Sequence, residues 1–307
     1  MKLLLSKPRG FCAGVERAID TVKKALSLWG APIYVKHEIV HNRHVVDNLI
    51  KLGAVFIEDL DEVPEGSRLV YSAHGVSPAV REHAKRRSLF EIDATCGLVT
   101  KVHSAAKRFA GKGYHIILIG HKNHVETIGT AGEVPDSTTI VERPSDVEKL
   151  AFAPDQKLFY LTQTTLSLDD VKEIAEALKE KFPQIETLPS SSICYATTNR
   201  QMALREITDV TDLVLVVGDP TSSNSNRLCE AAKNRGITAY LINNESEIQN
   251  EWLEGVKVIG MTAGASTPEN VVQDCIKRLE DLGVDTVEEV IYKEENVFFQ
   301  LPKTVLV

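Results

Sequence analysis

Three of the five cysteines stand where a metal centre could use them. Cys12, Cys96 and Cys194 each lie in a short segment rich in Gly, Ala and Thr, between an extended stretch and the start of a helical pattern. A helix N-terminus stabilises a thiolate, which is the form of cysteine that binds metals. Cys229 and Cys275 lie instead beside apolar residues at helical spacing, which predicts that both pack in the core.

The spacing of the three cysteines distinguishes two kinds of metal site. Cys12 and Cys96 are 84 residues apart, Cys96 and Cys194 are 98 apart, and no pair has C-x-x-C spacing. Structural zinc favours closely spaced ligand pairs, whereas an iron–sulfur cluster accepts thiolates from distant parts of a chain. With three thiolates, a four-iron cluster keeps one iron open, so Lewis-acid or redox chemistry on a bound substrate is expected. Zinc with a histidine as fourth ligand is the alternative.

Polar loops and histidines predict an anion site. Residues 222–226 and 262–266 precede helical patterns and contain more capping-type residues than one helix needs, which suits phosphate as well as ordinary caps. His41, His74 and His124 each follow a strand-like run, although a lone loop histidine is typically a surface residue. No Walker-type or G-x-G-x-x-G motif accompanies the loops, so a nucleotide is disfavoured.

Two carboxylates are candidates for a general acid. Glu126 comes two residues after His124 at the start of a helical pattern, where it could donate a proton or simply complement the helix dipole. Asp93, just before Cys96, is the rival and could instead cap the next helix. The sequence leaves both open at this point.

Buried strands must position these groups. Six apolar runs, two in each third of the chain, end in polar or Gly-rich loops and are followed by helical patterns; they cover residues 33–35, 69–71, 115–119, 158–161, 213–217 and 256–259. Such runs alternating with helices predict parallel sheets, with ligands beyond the carboxyl ends of the strands. We therefore predict an α/β fold of three similar small domains, each of which offers one cysteine and two polar loops to a shared centre. The predicted boundaries are 1–95, 96–193 and 194–281, followed by a tail at 282–307 that ends as a strand-like segment.

Composition and charge restrict the function classes. The chain has 307 residues and a formal net charge of −8, which argues against a broad basic face for nucleic acid. No apolar run is long enough for a membrane helix, and residues 3–5 are too short for a signal-peptide core. An odd number of cysteines without local pairing favours a reducing compartment, so we expect a cytoplasmic protein that binds neither membrane nor nucleic acid.

At the level of motifs, the chain resembles the 4-hydroxy-3-methylbut-2-enyl diphosphate reductase family, which catalyses the last step of the non-mevalonate isoprenoid pathway. The matching stretches occur in order along nearly the whole chain. They are 8–15 (PRGFCAGV), 72–75 (SAHG), 93–96 (DATC), 162–167 (TQTTLS), 193–200 (ICYATTNR), 222–227 (SSNSNR) and 262–266 (TAGAS).

The resemblance implies that the three α/β domains form a pseudo-threefold trefoil around a central iron–sulfur cluster, and it implies a role for individual residues. The family's metal ligands fall on Cys12, Cys96 and Cys194, its proton donor on Glu126, and an orienting or relaying hydroxyl on Thr164. The diphosphate-binding residues fall on His41, His74, His124, Ser222, Ser223, Asn224 and Ser266. Where the family often has Pro between the histidine and the glutamate of the second loop, this chain has Val125.

The resemblance also implies the reaction. It is the reductive dehydroxylation of 4-hydroxy-3-methylbut-2-enyl diphosphate to isopentenyl and dimethylallyl diphosphate. The substrate hydroxyl binds the open iron of a [4Fe-4S] cluster, Glu126 supplies a proton, and an external donor of the ferredoxin or flavodoxin type supplies electrons. A non-redox iron–sulfur hydro-lyase and a non-catalytic zinc- or phosphate-binding protein are the alternative classes.

Overall fold

The computed structural model describes residues 1–190 and 192–306. Its strands are β1 Lys2–Lys7, β2 Ile33–Lys36, β3 Ala54–Ile57, β4 Arg68–Tyr71, β5 Phe90–Asp93, β6 His115–Ile119, β7 Thr138–Val141, β8 Leu158–Thr162, β9 Glu186–Thr187, β10 Leu213–Val217, β11 Thr238–Ile242, β12 Val258–Ala263 and β13 Thr286–Ile291. Its α-helices are α1 Ala13–Trp29, α2 Arg43–Lys51, α3 Pro78–Arg86, α4 Gly97–Ala110, α5 Val125–Ala131, α6 Pro144–Val147, α7 Leu168–Lys181, α8 Tyr195–Thr208, α9 Ser223–Lys233 and α10 Glu269–Asp281. Short 3₁₀ turns occur at Leu60–Glu62, Pro135–Ser137, Glu245–Glu247, Asn250–Leu253 and Lys303–Val305.

Three separate sheets carry the fold, and their paired strands run parallel. One has five strands in the order β11-β10-β12-β1-β13, and two have four strands in the orders β3-β2-β4-β5 and β7-β6-β8-β9. Helices separate most of the strands along the chain, as parallel connections require. The predicted α/β class with three small parallel sheets is therefore confirmed.

The chain divides into two compact units. The first unit comprises residues 1–15, 41–45 and 195–298 and contains the five-stranded sheet. The second unit comprises residues 16–40, 46–194 and 299–307 and contains both four-stranded sheets. Each is described below by itself.

Burial on both faces explains the continuous apolar runs. In the second unit, Ile117 and Ile119 of β6 pack in one apolar cluster, while Ile116 and Leu118 pack in another on the opposite face. In the first unit, Leu213 and Leu215 of β10 belong to one cluster, and Val214 and Val216 to another. Alternate side chains of a strand point to opposite faces, so a strand covered on both sides must be apolar throughout.

The two chain ends differ from the sequence interpretation. β1, which we assigned to the first predicted domain, pairs with β12 on one side and β13 on the other, with Lys2 opposite Val258 and Thr286. The side chains of Leu3–Leu5 are buried, and both neighbouring strands lie late in the chain. The domain boundaries themselves remain a prediction.

The predicted strand-like end of the tail is also wrong for the described residues. The strand of this region is β13, at Thr286–Ile291, whereas residues 294–306 contain only the 3₁₀ turn Lys303–Val305. β13 is an edge strand, and its Glu288 and Glu289 pair with Lys2 and Arg9, which is a common protection of an exposed sheet edge. The extended stretch that the sequence predicts before Cys194 covers residues 191–193, and its first residue, Ser191, lies outside the described residues.

Over the described residues, no helix is both long and apolar enough to cross a membrane.

Candidate active site

The three loop cysteines share one backbone arrangement. Each directly precedes a helix, since Cys12 comes before α1, Cys96 before α4 and Cys194 before α8. Each amide N–H donates to the carbonyl of the second residue beyond a strand end: Cys12 to Ala265 after β12 at 3.2 Å, Cys96 to Ala73 after β4 at 3.0 Å, and Cys194 to Thr164 after β8 at 3.0 Å. The predicted equivalence of the three positions is thus visible in the hydrogen bonding within each unit.

The other two cysteines are core residues, as predicted. Cys275 is fully buried, and burial raises the pKa of its thiol to about 12. Cys229 is also buried, which raises its pKa, and its sulfur lies 3.5 Å from the carbonyl oxygen of Ala239. By contrast, Cys12, Cys96 and Cys194 are partly exposed. Sulfur atoms that lie outside the core, directly before a helix, are accessible to a metal.

Glu126 is held by Thr164 in the second unit. His124 is the N-cap of α5, where its Nδ1 accepts from the Glu126 amide at 3.1 Å. The Glu126 carboxylate then accepts twice from Thr164, from the backbone N–H to Oε1 at 2.7 Å and from Oγ1 to Oε2 at 2.9 Å. Because Thr164 also accepts from the Cys194 amide, one short loop after β8 contacts both the acid candidate and a cysteine segment.

The environment of Glu126 suits an acid that works near neutral pH. Its side chain is only 2% exposed, and burial raises its pKa from 4.5 to about 7, although the two Thr164 hydrogen bonds oppose that rise. A carboxyl group with such a pKa is protonated in a large fraction of molecules at physiological pH. Strongly shifted carboxyl groups in polar surroundings are common at active sites.

Asp93, the rival acid, has the opposite environment. Burial by itself would raise its pKa, but hydrogen bonds from Thr95 and the charge of Arg81 at 2.7 Å hold the pKa below its ordinary value. A carboxylate held ionised in this way cannot serve as a proton donor at neutral pH. The structure therefore favours Glu126 as the acid. The alternative role of Asp93 as a helix cap is wrong as well, because the N-cap of α4 is Cys96 and Asp93 accepts instead from the Thr95 amide.

Gln163 is a positioning residue that sequence reasoning passed over. Its Oε1 accepts from the His121 amide at 3.1 Å and from Thr127 Oγ1 at 3.2 Å, which ties the loop and helix around Glu126 to the end of β8. Gly120 lies in the same contact, where a Cβ atom would stand 2.8 Å from Thr127 Oγ1. The sequence feature that could have identified Gln163 is its place beside Thr164 in the motif at residues 162–167. Its partners lie about forty residues away along the chain, so the motif alone does not predict them.

The histidines of the second unit form a chain of ring contacts. The His74 ring lies edge-on to that of His124, with centroids 5.9 Å apart, and His74 Nδ1 lies 3.2 Å from Ser72 Oγ. The His37 ring lies 5.9 Å from that of His74 on the other side, and its Nδ1 bonds Glu58 at 2.6 Å. His37, which the sequence left unassigned, therefore joins the two predicted site histidines.

His103 is buried although it lies among charged residues in the sequence, a pattern that favours a solvated side chain. Its Nδ1 bonds Glu133 at 2.8 Å. Its ring packs against Gly75 and Gly129. Glu133 also pairs with Lys107, one turn further along α4. Because Glu133 lies 30 residues from His103 in the sequence, the local charge pattern does not reveal this partner.

The first unit contains the polar loops and His41. Ser222 caps α9 by accepting from the Ser225 amide at 3.3 Å, and Ser223 is the first residue of that helix. Asn224 is buried, and its Oδ1 accepts from the Ala265 amide at 2.9 Å. Ser266 Oγ donates to the His41 carbonyl oxygen at 2.9 Å. The predicted anion-binding loops thus meet each other and the His41 segment within this unit.

Asp219 fixes the His41 segment in place. Its carboxylate accepts from the Arg43 amide at 2.9 Å and from the Thr221 amide and hydroxyl at 2.9 and 2.7 Å. Burial alone would raise the pKa of Asp219, but the hydrogen bonds from Thr221 and Arg43 hold it below its ordinary value. Sequence analysis missed this residue, since nothing local connects it to position 43.

The chemistry of the donors fits an iron–sulfur cluster. Three partly exposed thiols precede helices and have equivalent backbone contacts, while the remaining two are buried with raised pKa values. Thiolates are the usual ligands of such clusters, and hydrogen-bond donors near them tune the potential. The structure places Cys12 in the first unit and Cys96 and Cys194 in the second.

Known proteins are similar to this chain over its whole length. A family model described as LytB protein matches residues 3–280. A Protochlamydia amoebophila (strain UWE25) protein named 4-hydroxy-3-methylbut-2-enyl diphosphate reductase is 73% identical over 306 residues, covering 100% of this chain and 98% of that protein. A Chlamydia pneumoniae protein of the same name is 62% identical over 304 residues, covering 98% of each chain.

Solved structures are similar as well. The structure of the E-1-hydroxy-2-methyl-but-2-enyl-4-diphosphate reductase from Plasmodium falciparum matches with a TM-score of 0.97 and 51% identity, covering 100% of this chain and 96% of that one. A second structure, of the (E)-4-hydroxy-3-methyl-but-2-enyl diphosphate reductase described as the terminal enzyme of the non-mevalonate pathway, matches with a TM-score of 0.65 and 30% identity, covering 91% and 99%. Because the family model spans most of the sequence and the relatives cover nearly all of it, the chain belongs to the LytB family.

Proposed function

We propose that this chain is a 4-hydroxy-3-methylbut-2-enyl diphosphate reductase. It converts that substrate to isopentenyl and dimethylallyl diphosphate by reductive loss of the hydroxyl group, the terminal step of the non-mevalonate pathway. The observation that carries the proposal is the 73% identity, over the full chain, to a protein with this name. The buried acid Glu126, with its pKa near 7, supplies what the loss of a hydroxyl group needs.

Cys12, Cys96 and Cys194 are the proposed ligands of a [4Fe-4S] cluster with one iron that no cysteine binds. When bound, the cluster supplies electrons and a Lewis-acidic iron for the substrate hydroxyl. Their partial exposure and their positions before α1, α4 and α8 support this assignment. The buried pair Cys229 and Cys275 is excluded from the ligand set because burial disfavours their thiolates.

The diphosphate is assigned to groups that donate hydrogen bonds. Ser222, Ser223 and Asn224 stand at the N-terminus of α9, and helix N-termini with hydroxyl groups suit phosphate. Ser266 and the histidines His41, His74 and His124 complete the proposed set. In a protein with a net charge of −8, such local donors must provide the attraction that the overall charge does not.

Glu126 delivers the proton, and Thr164 orients it. In the ionised state Thr164 donates to both carboxylate oxygens, from its amide to Oε1 and from its hydroxyl to Oε2. When Glu126 is protonated, an Oε2–H can donate to Thr164 Oγ1, because a hydroxyl both donates and accepts. The proton then lies between Glu126 on α5 and Thr164 on the loop after β8, and the hydroxyl of Thr164 can donate its own hydrogen to the leaving oxygen of the substrate.

The reaction needs an electron donor from outside the chain, and we propose a protein of the ferredoxin or flavodoxin type. We also propose a cytoplasmic location, which agrees with five cysteines that form no disulfide bond in the described residues.

The test is turnover of the diphosphate substrate by anaerobically isolated protein, with and without a one-electron reductant. We expect both products with the reductant and neither without it. Glu126→Gln should abolish most of this turnover, and Glu148→Gln, which changes an exposed glutamate of the same unit, should not. Loss of water from the substrate without reductant, to a dehydrated product that is neither isopentenyl nor dimethylallyl diphosphate, would instead identify a hydro-lyase. Full turnover by Glu126→Gln would remove Glu126 as the acid.

A further inference from the structure

Arg200 is a fully buried arginine that none of the roles above uses. Its Nε donates to the Gly10 carbonyl oxygen at 3.1 Å, and its Nη2 donates to the carbonyl oxygens of Gly10 at 2.7 Å and Phe11 at 3.2 Å. Its Nη1 donates to the Ala196 carbonyl oxygen at 3.0 Å and contacts both carboxylate oxygens of Glu295 at 3.3 and 3.2 Å. A guanidinium group has five N–H donors in a fixed plane, and these contacts account for all of them.

Two of these three carbonyl groups, those of Gly10 and Phe11, belong to the residues immediately before Cys12. The opposite edge of the same loop is held by strand β12 and the residues after it, where Gly10 donates to the Ala263 carbonyl at 3.2 Å and Cys12 donates to the Ala265 carbonyl at 3.2 Å. The C=O and N–H of a trans peptide point in opposite directions. The peptide between Phe11 and Cys12 is therefore fixed at both ends, by Arg200 on one side and Ala265 on the other.

The loop has little freedom to compensate for a change. Gly10 has φ +64°, and a Cβ atom there would lie 3.2 Å from the Thr267 carbonyl oxygen. The backbone of this loop thus adopts a conformation that favours glycine, in tight contact with the segment after β12.

Glu295 neutralises the buried charge and belongs to the segment after β13. Its side chain is 14% exposed and also accepts from Asn199 Nδ2 at 2.8 Å. A buried charge that is paired and hydrogen-bonded is tolerated, whereas removing one partner leaves the other uncompensated. Asn199 and Arg200, neighbours on α8, together bind this one carboxylate.

We infer that Arg200, held by Glu295, is a positioning residue that fixes the backbone of Cys12 through the carbonyl groups of Gly10 and Phe11. This inference rests on the proposed role of Cys12 as a cluster ligand. Lysine in place of Arg200 keeps the charge but has a single nitrogen, which cannot reach the Cys12 loop and Glu295 in the same planar geometry.

The test measures the reactivity of each thiol in the cluster-free full chain. Wild type, Arg200→Lys and Arg235→Lys are labelled with iodoacetamide, and the modification of each cysteine is followed by peptide mass spectrometry. Arg235 is the matched control, because it pairs with Asp209 at the surface of the same unit. We expect Arg200→Lys to raise the labelling rate of Cys12 at least about threefold, with Cys96 and Cys194 unchanged and the control like wild type.

A purely structural role predicts another pattern. If Arg200→Lys remains folded and the Cys12 rate is unchanged, or if all three thiols react faster to the same degree, the inference is overturned. If Arg200→Lys does not fold, Glu295→Gln decides, since it keeps the guanidinium group and removes only its counter-charge. Faster labelling of Cys12 alone in that variant supports the inference, and wild-type labelling of all three overturns it.

A second readout separates this inference from the proposed function. In the reconstituted protein, release of iron to a chelator should be about tenfold faster for Arg200→Lys than for wild type, and Arg235→Lys should match wild type. Wild type that takes up no iron would contradict the proposed function, while the thiol labelling would still decide the role of Arg200. Equal release rates for folded Arg200→Lys and wild type would contradict the inference alone.

Discussion

Replacing Glu126 with glutamine should make the protein more stable at alkaline pH and leave its stability nearly unchanged at acid pH. Glutamine has the shape of a protonated glutamic acid and cannot ionise. Its Oε1 can accept from the Thr164 amide and its Nε2 can donate to Thr164 Oγ1, so both contacts of the native side chain have a counterpart. The variant therefore removes the cost of a buried charge without creating a cavity.

The magnitude follows from the shift in pKa. Burial raises the pKa of Glu126 from 4.5 to about 7, and each unit corresponds to about 1.4 kcal/mol, so the ionised side chain costs about 3 kcal/mol. The folded state binds the proton more tightly than the unfolded state. The contribution of Glu126 to stability is thus greatest below pH 4.5, falls as the pH rises toward 7, and is lowest above that value.

The assay is urea unfolding of cluster-free wild type and Glu126→Gln at pH 5 and pH 8. We expect the variant to be more stable than wild type by about 3 kcal/mol at pH 8 and by less than about 1 kcal/mol at pH 5. The exposed substitution Glu148→Gln should give the same small difference at both values. A difference between Glu126→Gln and wild type that does not change with pH would refute the claim that Glu126 is an acid with a raised pKa.

Two further predictions concern the partners of site residues. Thr164→Val removes the hydroxyl donor to Glu126 and should raise the pKa of that acid. The alkaline limb of the pH–kcat profile should therefore shift to higher pH by about one unit. A limb that shifts to lower pH or stays in place would contradict the assigned hydrogen bond. Asp219→Asn weakens the hydrogen bond from the Arg43 amide, which fixes the segment that contains His41. The variant should raise KM about tenfold with little change in kcat. A fall in kcat at constant KM would count against a role in substrate binding.

Local sequence patterns predicted the strands that position the site. Continuous apolar runs such as those of β6 and β10 are buried on both faces, and the cysteines do precede helices. The patterns also separated the loop cysteines from Cys229 and Cys275, because apolar spacing on a helix is a local property.

Contacts between distant residues could not be predicted in this way. The bonds between Glu126 and Thr164 join positions 38 residues apart, and the environment that separates Glu126 from Asp93 depends on such partners. The pairing of β1 with β12 and β13 likewise depends on which edges remain unpaired after the rest of the chain has folded. Arg200 ends the motif at residues 193–200, but the motif does not reveal its partners, and only the structure places its guanidinium group on the carbonyl groups before Cys12.

The central claim is that three cysteines, and no others, hold an iron–sulfur cluster in this reductase. The most direct measurement is the iron and sulfide content of anaerobically isolated protein in the five single Cys→Ser variants. Substitution of Cys12, Cys96 or Cys194 should deplete both elements, while substitution of Cys229 or Cys275 should leave them at the wild-type level. Loss of iron from either of the two buried variants, or full retention of iron in any of the three others, would contradict it.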